Sequence, residues 1–344
     1  MSDLPVIGIT LGDPTGIGPE IVAKSLLRAE VYQACRPLAI GSQSALDRMI
    51  KTCGLDLTHR RIDRVSESKF EPGSIDVYDE WGVDHSETPF KHPIAADGEA
   101  AVTAVIKAVE LAMAGDIDAM ATAPLHKLAM KMAGYDFPGH TEIIGQYSNS
   151  PNPRMMLVAG DLRVVHVSTH VGLKDAVLLV KCERVLEAIE VCNNALLAIG
   201  IENPHIGVAG LNPHAEPGDV FGPEDSHEIA PAVEQALTLG INVEGPLPPD
   251  SVFARTRDGA FDGAVAMYHD QGHIAVKMLG FHHGINVTVN TPVIRTSVDH
   301  GTAYGRAGEC RASDESMAAS ILLAADMVNT RRRLTSAARS GVQA

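Results

Sequence analysis

The 344-residue sequence predicts an α/β fold, a largely parallel sheet covered by helices. Three observations predict it. The chain opens with a buried strand, a glycine-rich turn and a helix; that rhythm recurs along its length; and no apolar run approaches the roughly 18 residues a membrane span needs. The length suits one large domain or two packed lobes, because single cores stop growing at roughly 250–300 residues. No repeat, low-complexity tract or linker divides it.

The elements follow in order. Pro5 to Leu11 reads as a buried strand, and Gly12-Asp13-Pro14-Thr15-Gly16-Ile17-Gly18-Pro19-Glu20 as a turn into a helix, with Pro19 suited to the first helical turn and Glu20 to its positive end. Pro37 to Gly41 is a strand followed by a helix through Met49. Ala95 to Ala114 is a long helix, apolar at Val102, Val105, Val109 and Ala112, and Asp118 to Thr122 is a strand. Further strands are expected near Met155–Val158, Val164–Val167, Ile206–Ala209 and Gly263–Met267, with helices near Cys182–Ile199 and Pro223–Leu239. From about Arg331 the chain reads as a solvated, frayed end.

Composition narrows the function. A hydrophobic share of 45% with 21% charged residues is that of a globular protein. With 28 Lys+Arg against 43 Asp+Glu the formal net charge is −15, which disfavours nucleic acid and anionic membranes as partners. Met1-Ser2-Asp3-Leu4-Pro5 has neither a basic nor an apolar leader region, so a cytoplasmic location is expected. The five cysteines, Cys35, Cys53, Cys182, Cys192 and Cys310, are scattered without a C-x-x-C, and are expected to be reduced and structural.

Ligands of α/β proteins bind at the carboxyl ends of strands, so the turns there carry the argument. After Val164–Val167 comes Ser168-Thr169-His170; after Ile206–Ala209 comes Gly210-Leu211-Asn212-Pro213-His214-Ala215; after Gly263–Met267 comes Tyr268-His269-Asp270-Gln271-Gly272-His273. Three histidines thus stand just beyond three strands, and three imidazoles with an open position suit a catalytic divalent metal. His166 lies within a strand and reads as a core or hydrogen-bonded residue, whereas His273, His282 and His283 read as surface or supporting residues. Phe137-Pro138-Gly139-His140-Thr141-Glu142 reads either as an anion-binding helix start or as an ordinary cap at Thr141. Lys277, Asn286 and Arg295 are polar groups in or beside apolar runs, able to form a cationic pocket or to act singly as paired or snorkelling side chains. The Gly12, Gly16, Gly18 spacing matches neither G-x-G-x-x-G nor a P-loop.

Gly12–Glu20, Ala123-Pro124-Leu125-His126-Lys127, Pro138–Glu142, Ser168–His170, Gly210–Ala215, Met267–Gly272 and Ile294-Arg295-Thr296-Ser297-Val298-Asp299-His300-Gly301-Thr302-Ala303 together resemble the 4-hydroxythreonine-4-phosphate dehydrogenase family. Phe70-Glu71-Pro72-Gly73, Pro248–Phe253 and Glu315–Ala318 look most like its branch that oxidises 4-phospho-D-threonate or 4-phospho-D-erythronate. The resemblance implies a two-lobed α/β fold like the isocitrate and isopropylmalate dehydrogenases, with lobes over 1–125 plus 285–344 and over 126–284. It implies a homodimer with shared active sites, NAD or NADP as cofactor, and a divalent ion (Zn, Mg, Mn, Co or Ni) on His170, His214 and His269, one of them from the partner subunit. His140, Thr141, Lys277, Asn286 and Arg295 match positions that bind the phosphorylated substrate, and Asp299, His300, Gly301, Thr302 and Ala303 the nucleotide loop. After that loop many relatives carry an Asp-Ile-Ala-Gly-Lys-Gly-like run, where this chain has Tyr304-Gly305-Arg306-Ala307-Gly308-Glu309. Asp250 and Lys127 are the candidates for proton transfer. The chemistry implied is oxidation followed by decarboxylation; the alternatives are a cis-dihydrodiol carboxylate dehydrogenase and a non-catalytic phosphosugar-acid-binding protein.

Overall fold

The structure, a computed structural model, describes residues 4–215, 218–280 and 284–341. In chain order its elements are β1 (Val6–Thr10), α1 (Gly18–Ser25), α2 (Ala29–Ala34), β2 (Arg36–Ile40), α3 (Gln43–Cys53), β3 (Thr58–Ile62), β4 (Ser74–Tyr78), α4 (Ala95–Ala114), β5 (Ala119–Thr122), α5 (Lys127–Met132), α6 (His140–Tyr147) and β6 (Arg154–Ala159). There follow β7 (Leu162–His166), α7 (Leu173–Leu178), α8 (Cys182–Ala198), β8 (His205–Ala209), α9 (Ala230–Thr238), β9 (Asn242–Leu247), α10 (Pro249–Arg257), β10 (Gly263–Ala266), α11 (His269–Gly280), β11 (Ile285–Val289), β12 (Arg295–Val298) and α12 (Glu315–Gly341). The α/β alternation expected from the sequence is present, and no helix among the described residues is long and apolar enough to cross a membrane.

The chain forms two compact units, residues 1–153 with 291–344, and residues 154–290. In the first, strands run in the order β3-β4-β2-β1-β5-β12 and every pairing is parallel. Their alternation sends Ile7, Ile9 and Ala39 into one core, with Ile21, Leu46 and Ile321, and Leu38 and Ile40 into another, with Val102, Val105 and Ile144. Helices therefore cover both faces, as buried parallel strands require. In the second unit the order is β11-β6-β7-β10-β8-β9, with β11/β6 and β6/β7 antiparallel and the rest parallel.

Four expectations are corrected. The units divide at 153/154 and 290/291 instead of 125/126 and 284/285, because α5 and α6 pack on α4: a Cβ on Gly98 would lie 2.1 Å from the Ala129 carbonyl oxygen, so glycine is what lets α5 approach. Cys53 and Cys310, expected to be reduced, form a disulfide with Cα atoms 5.3 Å apart across 257 residues of chain, a pairing no local spacing announces; Cys35, Cys182 and Cys192 are free. The segment from Arg331 continues α12 to Gly341 instead of fraying, and Asp118 anchors it, its carbonyl accepting from Arg331 at 3.2 Å and its carboxylate from Arg332 at 2.8 Å. Of the two readings of His273, surface or supporting, the surface one falls: the residue is buried and sandwiched between the rings of His166 and His269. His282 and His283 lie outside the described residues.

Candidate active site

The second unit explains why the three strand-end histidines share one edge. β7, β10 and β8 are adjacent and parallel, so the residues following them emerge on the same side: His170 after β7, His269 after β10 and His214 after β8. His170 and His269 rings stand 6.0 Å apart, centroid to centroid, and both line a cavity of about 320 Å³ with Thr169, Tyr268 and Asp270. His214 lies 3.5 Å from the Asp250 carboxylate at the start of α10. Among the described residues, no three His, Cys, Asp or Glu side chains are gathered closely enough to hold a metal ion.

The donor set nevertheless has the chemistry of a divalent-ion site. His269 Nδ1 is 2.6 Å from Asp270 Oδ1 and His214 Nδ1 is 3.5 Å from Asp250 Oδ2, contacts of the kind that fix a ligating imidazole with its other nitrogen outward. His214 also has φ +63, the left-handed region that costs a non-glycine residue on the order of 1–3 kcal/mol and clusters at functional sites. Two groups that the sequence did not single out shape these turns. Buried Asp225 accepts from the Leu211 and Asn212 amides at 2.7 and 3.1 Å, and Gln271 accepts from the Met267 amide at 2.7 Å while donating to the Gly210 carbonyl at 2.8 Å. Below them His166 is buried in β7, as expected; burial first, and then the charges of His273 and His269, pull its pKa down to about 3.

The first unit holds a different set. Arg295 begins β12 and is buried; its Nε and Nη2 donate to Thr122 Oγ1 at 3.0 and 2.7 Å. Burial lowers its pKa to about 9, opposed by the charge of Glu142. His140 is the first residue of α6, and Gly139 at the cap offers no side chain, so Thr141 is not the cap and the helix start is left uncapped. Burial, followed by the nearby Arg295 charge, holds His140 well below the ordinary imidazole range, against a hydrogen bond with the backbone of Ala123. Its buried Nε2 has no hydrogen-bond partner among the described residues. A neutral imidazole, a buried guanidinium and free helix-start amides are anion-binding equipment. Lys277 is exposed on α11 and Asn286 lies in β11, both in the second unit. Lys127 is exposed at the start of α5 in the first.

The expected nucleotide loop docks on the glycine-rich turn. Ile17 donates its amide to the Thr302 carbonyl at 3.0 Å, and a Cβ on Gly16 would stand 3.0 Å from Thr302 Cβ. His300 Nδ1 lies 3.0 Å from the Gly301 carbonyl, Asp299 precedes it, and Ala303 takes φ +44. Tyr304, where the chain departs from many relatives, donates to Asp13 Oδ2 at 2.7 Å and stacks on His126 at 4.5 Å. Asp13 also accepts from the Thr15 amide at 2.8 Å; burial, with the Asp97 charge as the smallest contribution, raises its pKa against these hydrogen bonds. Sequence reading passed over this cluster. Its one visible signal was an acid, Asp97, at a buried position of a long helix.

Strand-end imidazoles over a cavity in one unit, and a buried guanidinium beside an uncapped helix in the other, are the kind of groups that α/β enzymes carry at their strand ends. The chain belongs to the family described as pyridoxal phosphate biosynthetic protein PdxA, whose model matches residues 33–324. It is 46% identical over 333 residues to a D-threonate 4-phosphate dehydrogenase of Cupriavidus necator, covering 96% of this chain and 100% of that one. It is 43% identical over 327 residues to a 4-hydroxythreonine-4-phosphate dehydrogenase of Geobacter metallireducens, covering 95% and 96%. A crystal structure of a 4-hydroxythreonine-4-phosphate dehydrogenase from Burkholderia phymatum superposes with a TM-score of 0.83 at 47% identity, covering 94% and 98%. The chain is therefore an oxidoreductase of the dehydrogenase type.

Proposed function

We propose that the protein oxidises and decarboxylates D-threonate 4-phosphate or its close relative D-erythronate 4-phosphate, using NAD or NADP and a divalent ion. The observation that carries this reading is the buried Arg295 beside His140, which favours a compact phosphate over the aromatic carboxylate of a dihydrodiol. The relative named for D-threonate 4-phosphate supports the choice of substrate.

In this reading Arg295, His140 and Thr141, with Lys277 and Asn286, bind the substrate, so that binding energy at the distant phosphate orients the reacting carbon. His170, His214 and His269 are the residues that would hold the ion, in a homodimer in which the partner subunit completes the set. Leu173 and Leu178 of α7 and Ile274 and Met278 of α11 support a partner here: all four are exposed, Met278 at 82%. The Asp299–Ala303 loop holds the nucleotide. When bound, the ion supplies Lewis acidity toward the substrate's hydroxyl and carboxylate oxygens, and the nicotinamide accepts a hydride. Asp250 takes the hydroxyl proton as the carbon gives up that hydride, and after CO₂ leaves a proton returns to the carbon that bore it; Lys127 is the second candidate for proton transfer.

The test is NADH absorbance with D-threonate 4-phosphate, D-erythronate 4-phosphate and 4-hydroxythreonine 4-phosphate, each with NAD⁺ or NADP⁺ and with Zn²⁺, Mg²⁺, Mn²⁺, Co²⁺, Ni²⁺ or chelator. Turnover that survives full chelation would sink the metal role, and no turnover of any phosphorylated acid would sink the substrate class.

A further inference from the structure

The first unit contains a second cavity, of about 310 Å³, which none of the proposed roles uses. It opens at the carboxyl ends of two parallel strands: Ser42 follows β2, Asp79 follows β4, and the N-terminal half of α4 contributes Glu99 and Thr103. Ligands of open α/β sheets bind at such strand ends.

Its lining selects a ligand. Among the described residues that line it there is no Lys or Arg, whereas Asp79 and Glu99 are acids, so a phosphate is disfavoured. Asp79 is committed to shaping the wall: it accepts from the Gln43, Trp81 and Gly82 amides at 2.9, 3.2 and 2.9 Å, which sets Trp81 in place. Trp81, the only tryptophan in the sequence, supplies a flat aromatic surface. His85 is 1% exposed, and its Nδ1 lies 3.0 Å from the Asp97 carboxylate. A carboxylate only accepts, so Nδ1 carries a proton toward Asp97, and in that tautomer Nε2 is an acceptor. That Nε2 is shielded from water and has no partner among the described residues.

A flat, uncharged ring with an exocyclic amine and neighbouring hydroxyls answers each of these features. We propose that the cavity is an adenosine subsite, with the base against Trp81, its amine donating to His85 Nε2 and the ribose hydroxyls reaching the Glu99 carboxylate. The volume is at the low end for small-molecule sites, roughly 300–1,000 Å³, which suits a nucleoside and is small for a whole dinucleotide. The site is tied to the expected nucleotide loop: Thr15 Oγ1 lies 3.2 Å from Asp97 Oδ2, 2.9 Å from Asp13 Oδ1 and 3.2 Å from the Tyr304 hydroxyl. The same chemistry belongs to the adenosine half of a dinucleotide cofactor and to a free adenosine compound.

With a single tryptophan, selective excitation reads this cavity alone. Adenosine titrated into the protein should change Trp81 emission saturably, whereas inorganic phosphate and ribose 5-phosphate should not. His85→Asn keeps a donor for Asp97 but removes the Nε2 acceptor, and Glu99→Gln removes the carboxylate; each should weaken adenosine binding roughly tenfold, the scale of one hydrogen bond to a buried or charged group. Competitive inhibition of NADH formation by adenosine against NAD⁺ assigns the subsite to the cofactor, and inhibition that NAD⁺ does not relieve assigns it to a separate effector. An unchanged Trp81 signal, with neither variant altering adenosine binding by calorimetry, overturns the inference and leaves the proposed activity untouched. Adenosine binding without turnover of any phosphorylated acid leaves the subsite standing and overturns the activity.

Discussion

The two units hold their functional groups in opposite ways. In the first, Arg295 is buried, tied to Thr122 and flanked by His140 and Glu142, so the proposed anion-binding group is fixed by the core that surrounds it. In the second, His214 has a side chain 64% exposed and His269 one 38% exposed, on turns braced by Asp225 and Gln271 from beneath. Burying a guanidinium costs desolvation energy, which an incoming phosphate can repay. Exposed imidazoles cost little to carry and gain their function from what binds them. On the proposed function, the phosphate-binding side chains are positioned in advance by one folded unit, whereas the proposed metal ligands await completion by a partner subunit.

This contrast can be broken most severely from the exposed side. Replacing His269 or His214 by Ala should lower kcat/KM by on the order of a thousandfold, about 4 kcal/mol, while circular dichroism and melting temperature stay near those of the parent, because neither side chain is part of a core. Arg295→Lys keeps the charge but loses the planar fork, and should raise KM for the phosphorylated substrate roughly a hundredfold, about 3 kcal/mol, by steady-state kinetics. Thr122→Val leaves Arg295 in place without its acceptor, and a roughly tenfold rise in KM is expected. An unchanged KM in both would show that the buried cation does not bind substrate.

The smallest effect concerns pH. His140 has its folded pKa below the unfolded value, so its contribution to stability is complete above about 6.5, the ordinary imidazole pKa, and is lost as pH falls below it, at up to about 1.4 kcal/mol per pH unit. Denaturant midpoints between pH 7 and pH 5 should therefore fall less steeply in His140→Gln than in the parent. Equal slopes would mean that His140 is not buried as a neutral ring.

Much of this was legible because the signals were local. The period of apolar residues marked a helix from about Ala95 to Ala114, the span the structure has, and the turns after Val167, Ala209 and Met267 announced three histidines at strand ends. The clusters at Asp13, His85, Asp97 and Tyr304 were not legible, since each member is an unremarkable polar residue in its own segment and only the fold brings Thr15 to Asp97 and Tyr304 to Asp13.

The sequence by itself determined the α/β rhythm and the family, and it nominated the side chains proposed to carry the chemistry, because strand and helix periods and turn residues act over a few neighbours. Only the tertiary structure decided that β7, β10 and β8 lie side by side, which sets His170 beside His269 while His214 turns to Asp250. It also decided that Arg295 is buried while Lys277 is exposed, and that Cys53 meets Cys310. Those outcomes depend on contacts between residues far apart in the chain, and burial and strand order are properties of the packed whole.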